Sequence, residues 1–247
     1  MTLAYRIIPT LLVRGRELVK GVSFDSWRSV GLAMQSARIH SFRGVDELMI
    51  LDISATREGR GPDLELIEEL THSSFIPLSV GGGIRSVDDA YDLLRAGADK
   101  VVVCTGFNEV PNLIQNLSTT FGKQAIVVSI DVKQGRFHTR CGTHDTRIDA
   151  LMAAECAQSC GAGEILLSSV ELDGTMNGYD LFTLRKMASV LEIPVVASGG
   201  CGKYEHMHQA IEAGASAVAA GAMFQFTDAT PRNAAYYLDQ ENIEVRL

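Results

Sequence analysis

With 247 residues, 46% of them apolar, the chain has enough hydrophobic side chains for a sizeable core, which excludes a disordered protein. Its 22 basic against 30 acidic side chains leave a formal charge of −8, and no run of Lys or Arg offers a surface for nucleic acid or an anionic membrane. No stretch of about 18 uninterrupted apolar residues is present to span a bilayer, and the start MTLAYRIIPTLL lacks the regions of a secretory signal. Five cysteines at irregular spacing (Cys104, Cys141, Cys156, Cys160 and Cys201) suit reduced thiols, so a cytoplasmic location is expected.

Along the chain, short β-branched runs alternate with amphipathic stretches. A strand at Ile7–Val13 is followed by a helix near Ser29–Phe42, then Leu48–Ile53 by Leu64–Ser73 and Ile76–Val80 by Val87–Arg95. Lys100–Cys104 leads into a helix near Val110–Phe121, and Ala125–Val132 into Ala150–Cys160. The last three pairs are Ile165–Ser169 with Leu181–Leu191, Pro194–Ser198 with His206–Ala213, and Ala217–Gly221 with Pro231–Asp239. Near-continuous Val/Ile/Leu runs are the mark of parallel strands buried on both faces. Eight strand–helix pairs without a linker predict α/β class, a single (β/α)8 TIM barrel; an open doubly wound sheet is the alternative.

An internal repeat favours the barrel. IPLSVGGGI at Ile76 returns as IPVVASGGC at Ile193, and AGADKV at Ala96 as AGASAV at Ala213, each 117 residues on. Gly61-x-Asp63 and Gly178-x-Asp180 keep that shift, as do Glu47 and Glu164. The repeat divides the single domain into half-barrels, approximately 1–122 and 123–247. The first strand matches at a shift of 119, which sets Leu12 opposite Asp131.

The loops after barrel strands build the active site. Two of them, Gly81-Gly82-Gly83 and Ser198-Gly199-Gly200, are glycine-rich and related by the repeat. Glycines let backbone N–H groups approach an anion, and a following helix N-terminus adds a favourable dipole. With Cys104-Thr105-Gly106 and Gly221-Ala222 they form two cradles, implying a small-molecule substrate phosphorylated at both ends; tight turns alone are the other explanation. Asp131, ending strand five, is a candidate general acid/base or else a loop anchor. Lys20 follows strand one and can reach the same mouth. Cys156 and Cys160, four apart on a helix, are read as core-facing. No His/Cys/carboxylate spacing suggests a metal, and no cofactor is expected. At the opposite end Arg6, Glu47, Lys100 and Glu164 stand where strands enter; taken alone they read as a salt-bridged plug.

The segments RIIPTLLV, LVKG, DELMILDI, IPLSVGGGIRS, LLRAGADKV, IVVSIDVK, GAGEILLSS, DGTMNGYD and IPVVASGG together resemble the cyclase subunit of imidazole glycerol phosphate synthase. The resemblance spans nearly the whole chain and implies a barrel that binds a doubly phosphorylated ribonucleotide derivative. It implies that a glutaminase subunit docks on the N-terminal face and that its ammonia passes through the barrel. Arg6, Glu47, Lys100 and Glu164 then match the family's gate, and Asp99 adjoins the partner surface. Gly82, Gly83 and Thr105 match one phosphate site, and Asp173, Gly174, Gly199, Gly200, Gly221 and Ala222 the other.

Four positions depart from the family. Ala222 replaces a serine, Cys104 an asparagine, and Arg147 a glycine. Most consequentially, Leu12 stands where the family has the first of its two acid/base aspartates, leaving Asp131 as the second. The expectation is a synthase subunit specialised away from histidine synthesis, handing ammonia to another acceptor, with a third amidating enzyme as a further partner. The ordinary histidine-pathway cyclase and a non-catalytic ammonia conduit are the alternatives.

Overall fold

The structure, a computed structural model, describes residues 4–43, 45–73 and 76–247. The first three residues of the expected first half-barrel lie outside the described residues. In chain order the elements begin with β1 (Arg6–Arg14), β2 (Glu17–Val22), β3 (Asp25–Leu32), α1 (Ala33–Phe42), β4 (Leu48–Asp52), α2 (Ala55–Glu58), α3 (Leu64–Ser73) and β5 (Leu78–Gly81). They continue with α4 (Val87–Arg95), β6 (Lys100–Val103), α5 (Thr105–Glu109), α6 (Leu113–Phe121), β7 (Ile126–Lys133), β8 (Arg136–Thr139), β9 (His144–Asp149) and α7 (Ala150–Ser159). The last are β10 (Glu164–Ser169), α8 (Leu181–Val190), β11 (Val195–Ser198), α9 (Tyr204–Glu212), β12 (Ala217–Ala220), α10 (Ala222–Phe226) and α11 (Pro231–Gln240).

Eight parallel strands pair in the order β1, β4, β5, β6, β7, β10, β11, β12, and β12 returns to β1, with Ile8 opposite Ala219. This closure makes a (β/α)8 barrel and excludes the open sheet. Side chains alternate across each strand. Ile7 and Leu11 face the helices, whereas Ile8, Met49, Val102, Val127, Leu166, Val196, Ala217 and Ala219 pack together inside the barrel. The inner parity positions the chemistry. Steps of two along β4 run Glu47, Met49, Leu51; along β6, Lys100, Val102, Cys104; along β10, Glu164, Leu166, Ser168. On β1 they run Arg6, Ile8, Thr10, Leu12. Each series carries a charge at the strand entrance, an apolar layer, and a residue at the mouth.

Local signals set the helix starts. Ser86 accepts from Asp89 N–H while the Asp89 carboxylate accepts from Ser86 N–H, a capping box that opens α4. Thr230 caps α11, with Pro231 at its first position.

Three expectations are corrected. The helix placed near Ser29–Phe42 starts only at Ala33, because Asp25–Leu32 pairs with β2 as a hairpin. The helix placed at Val110–Phe121 starts at Leu113, since the run is broken by Pro111 and by Asn112 at φ +59°. Cys156 is exposed, because α7 buries the alanine face Ala150, Ala153, Ala154 and Ala157 instead, whereas Cys160 is half-buried and packs against the core. The hairpin β8–β9 was not expected at all. It carries Arg147 at φ +63°, a conformation that costs a non-glycine residue about 1–2 kcal/mol.

Candidate active site at the barrel mouth

Asp131 lies on the inner face of β7 and is 7% exposed. Ser129 Oγ donates to one carboxylate oxygen at 2.8 Å, and the Cys104 thiol faces the other at 3.5 Å. Burial pushes the carboxyl up to about 6, against the opposing pull of those two hydrogen bonds. The folded state thus holds this proton more tightly than the unfolded chain does, and charging the group costs stability as pH rises through 6. A carboxyl with this pKa exchanges protons readily near neutral pH, as a general acid/base must. We expect kcat/KM for proton-dependent chemistry here to change with an apparent pKa near 6. Asp131→Asn should abolish that limb and lower the rate by about 10²–10⁴-fold; a profile unchanged by the substitution would count against the role.

Leu12 is also on the mouth's inner wall, in register with Leu51 on β4 and Val19 on β2. It lines two adjoining cavities, together with Phe24, Leu51 and Ser168. The larger, about 790 Å³ with its opening to solvent included, contains Asp131, Gly82, Gly83 and Thr105. The smaller, about 440 Å³ on the same measure, contains Lys20, Asp173, Gly174, Gly199, Gly200, Gly221 and Ala222. Every residue expected at the two cradles and at the acid/base position therefore lines one of the two cavities. One further carboxylate, Asp52, lines the larger one. It does not replace the missing aspartate: one oxygen accepts from Ser54 N–H, Ser54 Oγ and Ala55 N–H, and the other pairs with Arg60 at 2.7 Å.

The glycines serve backbone approach. A Cβ on Gly82, at φ +120°, would come within 2.5 Å of Asp52 O, and one on Gly200, at φ +100°, within 2.0 Å of Gly178 O. In the second cradle Lys20 is 3% exposed, pairs with Asp173 at 3.4 Å and sits over Gly221. The Asp173 carboxylate holds that ammonium in place; facing an anion itself, it would repel it. Its second oxygen and Thr10 Oγ1 are buried there without hydrogen-bond partners.

At the other end, the four charges form a closed ring. Arg6 bonds Glu47 at 2.5 Å and also Glu164, and Lys100 bonds Glu47 at 3.0 Å and Glu164 at 2.9 Å. Ser79 Oγ adds a 2.5 Å hydrogen bond to Glu47. Burial pushes the Glu47 carboxyl up, but Lys100, Arg6 and Ser79 outweigh it and hold the group below its ordinary value. Asp99, exposed beside the ring, accepts from Leu78 N–H at 2.9 Å and so also anchors the strand entrance.

Several mouth residues were missed in the sequence. Asp52 carried the same signal as Asp131, a carboxylate ending an apolar strand, whereas Phe24 and Trp27 reach the mouth only through the unexpected hairpin. Burial raises the Cys104, Cys141 and Cys201 thiols, the last two to about 11, so none is a ready nucleophile at neutral pH. Among the described residues there is no His/Cys/carboxylate cluster suited to a metal ion, and no helix is long and apolar enough to cross a membrane.

Residues 6–230 match the family described as histidine biosynthesis protein. The chain is 44% identical over 250 residues to the imidazole glycerol phosphate synthase subunit HisF of Chlorobaculum tepidum, an alignment covering 99% of this chain and all of that relative. It is 42% identical over 253 residues to the subunit of the same name from Corynebacterium urealyticum, with both chains fully covered. The Bacillus cereus HisF is 42% identical over 251 residues, covering 99% of this chain and 100% of its own.

Proposed function

The chain belongs to the histidine biosynthesis protein family, as a HisF-type member, and from that membership we propose that it is the ammonia-accepting synthase subunit of a glutamine amidotransferase. Its reaction is of the imidazole glycerol phosphate synthase type, a lyase and cyclisation step at the barrel mouth. One observation carries this reading: a single barrel holds two glycine-lined cavities around a buried carboxyl at one end and a closed ring of four charges at the other.

The two cradles hold a small molecule by a phosphate at each end, through Gly82, Gly83 and Thr105 on one side and through Gly199, Gly200, Gly221, Ala222 and Lys20 on the other. The half-barrels, approximately 1–122 and 123–247, contribute the glycine loops of one cradle each, and Lys20 crosses from the first half to the second cradle. A glutaminase subunit docks on the N-terminal face, with Asp99 at its edge. Uncharged ammonia passes Arg6, Glu47, Lys100 and Glu164 and crosses the apolar interior, where an ammonium ion would lose its hydration without compensation. Asp131 then takes up or returns a proton as the amine adds and the ring closes.

Leu12 favours a second reading. With one carboxyl in place of two, cyclisation is lost, and the barrel serves another ammonia acceptor with a third amidating enzyme. Incubating the protein with ammonia and the doubly phosphorylated ribonucleotide decides between them. Slow formation of imidazole glycerol phosphate supports the first reading. Binding without turnover supports the second, and no binding reduces the protein to an ammonia conduit. As a separate expectation, crystals grown in sulfate should show an anion beside Gly82 and Thr105 and another beside Gly200 and Gly221. Empty density in both places, with no heat on titrating the nucleotide, would overturn the cradles.

A further inference from the structure

Asp52, Asp131 and Asp173 all line the mouth, and they are held in different ways. Asp52 pairs with the Arg60 guanidinium at 2.7 Å and Asp173 with the Lys20 ammonium at 3.4 Å. Asp131 has no ion-pair partner among the described residues. Its side-chain hydrogen bonds come from uncharged groups, Ser129 Oγ at 2.8 Å on one oxygen and the Cys104 thiol at 3.5 Å on the other. An adjacent cation favours a carboxyl's charged form by its whole charge; a neutral donor favours it less and chiefly orients it.

Two neighbouring strands build this arrangement. Ser129 and Asp131 are two apart on β7 and share its inner face, while Cys104 directly follows β6, whose Val103 is in register with Val128. A carboxylate held at both oxygens from two strands cannot turn about its Cβ–Cγ bond without breaking a contact. Burial pushes the Cys104 thiol well above its ordinary range, and the Asp131 charge adds to it, so at neutral pH it is an S–H donor and not a competing anion. Its single hydrogen has a second acceptor, His138 O at 3.8 Å, and the Ser129 hydroxyl can turn from donor to acceptor. Neither protonation state of Asp131 therefore strands a buried polar group, which keeps the cost of moving a proton on and off low.

The other titratable groups about Asp131 are His138, its register partner on β8, Asp173 beyond β10, and Cys141 in the β8–β9 hairpin with Arg57 and Asp52 beside it. Burial pushes the Asp131 carboxyl up, Ser129 and then Cys104 pull it down, and Asp173 (upward) and His138 (downward) act more weakly. We propose that Ser129 and Cys104 are positioning residues for proton transfer at the mouth, each holding one oxygen of Asp131 so that the carboxyl keeps one orientation on the wall of the larger cavity and still gains and loses a proton. The inference rests on the reading of Asp131 as the acid/base group.

The test labels the full-length protein with carbon-13 at the aspartate side-chain carboxyls and titrates Asp131 directly by NMR, with Asp131→Asn identifying its signal. The native carboxyl should titrate at about pH 6. Ser129→Ala should make it hold its proton about tenfold more tightly, and Ser129→Cys, which restores a donor of similar size, should recover most of that change. Cys104→Ala should tighten the proton about threefold, and Cys104→Ser, which keeps a donor, should not. In turnover of the doubly phosphorylated ribonucleotide, Ser129→Ala should move the pH limb of kcat/KM upward by the same factor and leave KM unchanged. An Asp131 titration that Ser129→Ala leaves in place, or moves to lower pH, would overturn the proposal; a loss of thermal stability alone would make Ser129 a packing residue. If Ser129→Ala does not fold, the two Cys104 variants decide by the same titration. If the titrations shift as expected while the native protein turns over no ligand, the hold on Asp131 stands and it is the acid/base reading that has failed.

Discussion

Leu12→Asp is expected to raise ammonia-dependent turnover of the doubly phosphorylated ribonucleotide by about 10²-fold or more. Of the carboxyls lining the mouth, Asp131 is the one proposed for proton transfer, Asp52 is occupied by Ser54, Ala55 and Arg60, and Asp173 pairs with Lys20. Leu12 lines both cavities, so a carboxylate there meets a ligand that spans them. A positioned acid/base group is worth about 10²–10⁴-fold. The gain has a structural cost. Leu12 is 7% exposed, and removing its buried hydrocarbon forfeits about 1.5–3 kcal/mol, with a further penalty for desolvating a carboxylate. Thermal unfolding should therefore shift down by several degrees while the rate rises. Combining the substitution with Asp131→Asn should return the rate to the wild-type level or below. A wild-type rate equal to that of the HisF relatives, or a slower Leu12→Asp variant, would remove the argument that Leu12 limits the chemistry.

Lys100→Ala is expected to uncouple glutamine from synthesis in the complex with the glutaminase. Its ammonium joins Glu47 and Glu164, the two most buried members of the ring. Without it Arg6 is the one cation left in the ring for both carboxylates, and removing one partner of a buried ion pair costs about 3–5 kcal/mol. Glu47, held below its ordinary value, contributes stability that is present above about pH 4.5 and lost as pH falls through its folded pKa. That acid-side loss should be smaller in the variant, because less of the depression remains. The decisive readout is a ratio: the glutamine-dependent rate should fall well below the rate with added ammonia, which enters at the other end of the barrel. If stability falls and the ratio stays constant, the ring is a plug and nothing more. Lys100→Met, which keeps the hydrocarbon stem without the charge, separates lost packing from lost charge.

The barrel itself was legible because its signals are local and repeated. Val/Ile/Leu runs predict strands, and the 117-residue recurrence predicts two matching halves with matching glycine turns. Position along each strand sets Glu47, Lys100 and Glu164 where strands enter and Asp131 where one ends, which is why the sequence alone assigns them to opposite ends of the barrel. Leu12 could be singled out by the same alignment of halves.

The hairpins could not be placed. In Asp25–Leu32 the residues are chiefly polar, small or exposed, so no apolar periodicity marks β3. It exists because β2 supplies its hydrogen bonds and because Asp173, Glu171 and Phe226, distant in sequence, hold it over the mouth. The position of Trp27, the occupied state of Asp52 and the closure of four separate charges into one ring all depend on such long-range contacts. By itself the sequence determined the eight strands and the paired glycine turns, since these follow from short-range apolar runs and backbone freedom. Only the tertiary structure decided which neighbours hold each carboxyl and how the charges meet, because those are matters of a few ångströms between residues that the chain itself separates by up to 158 positions.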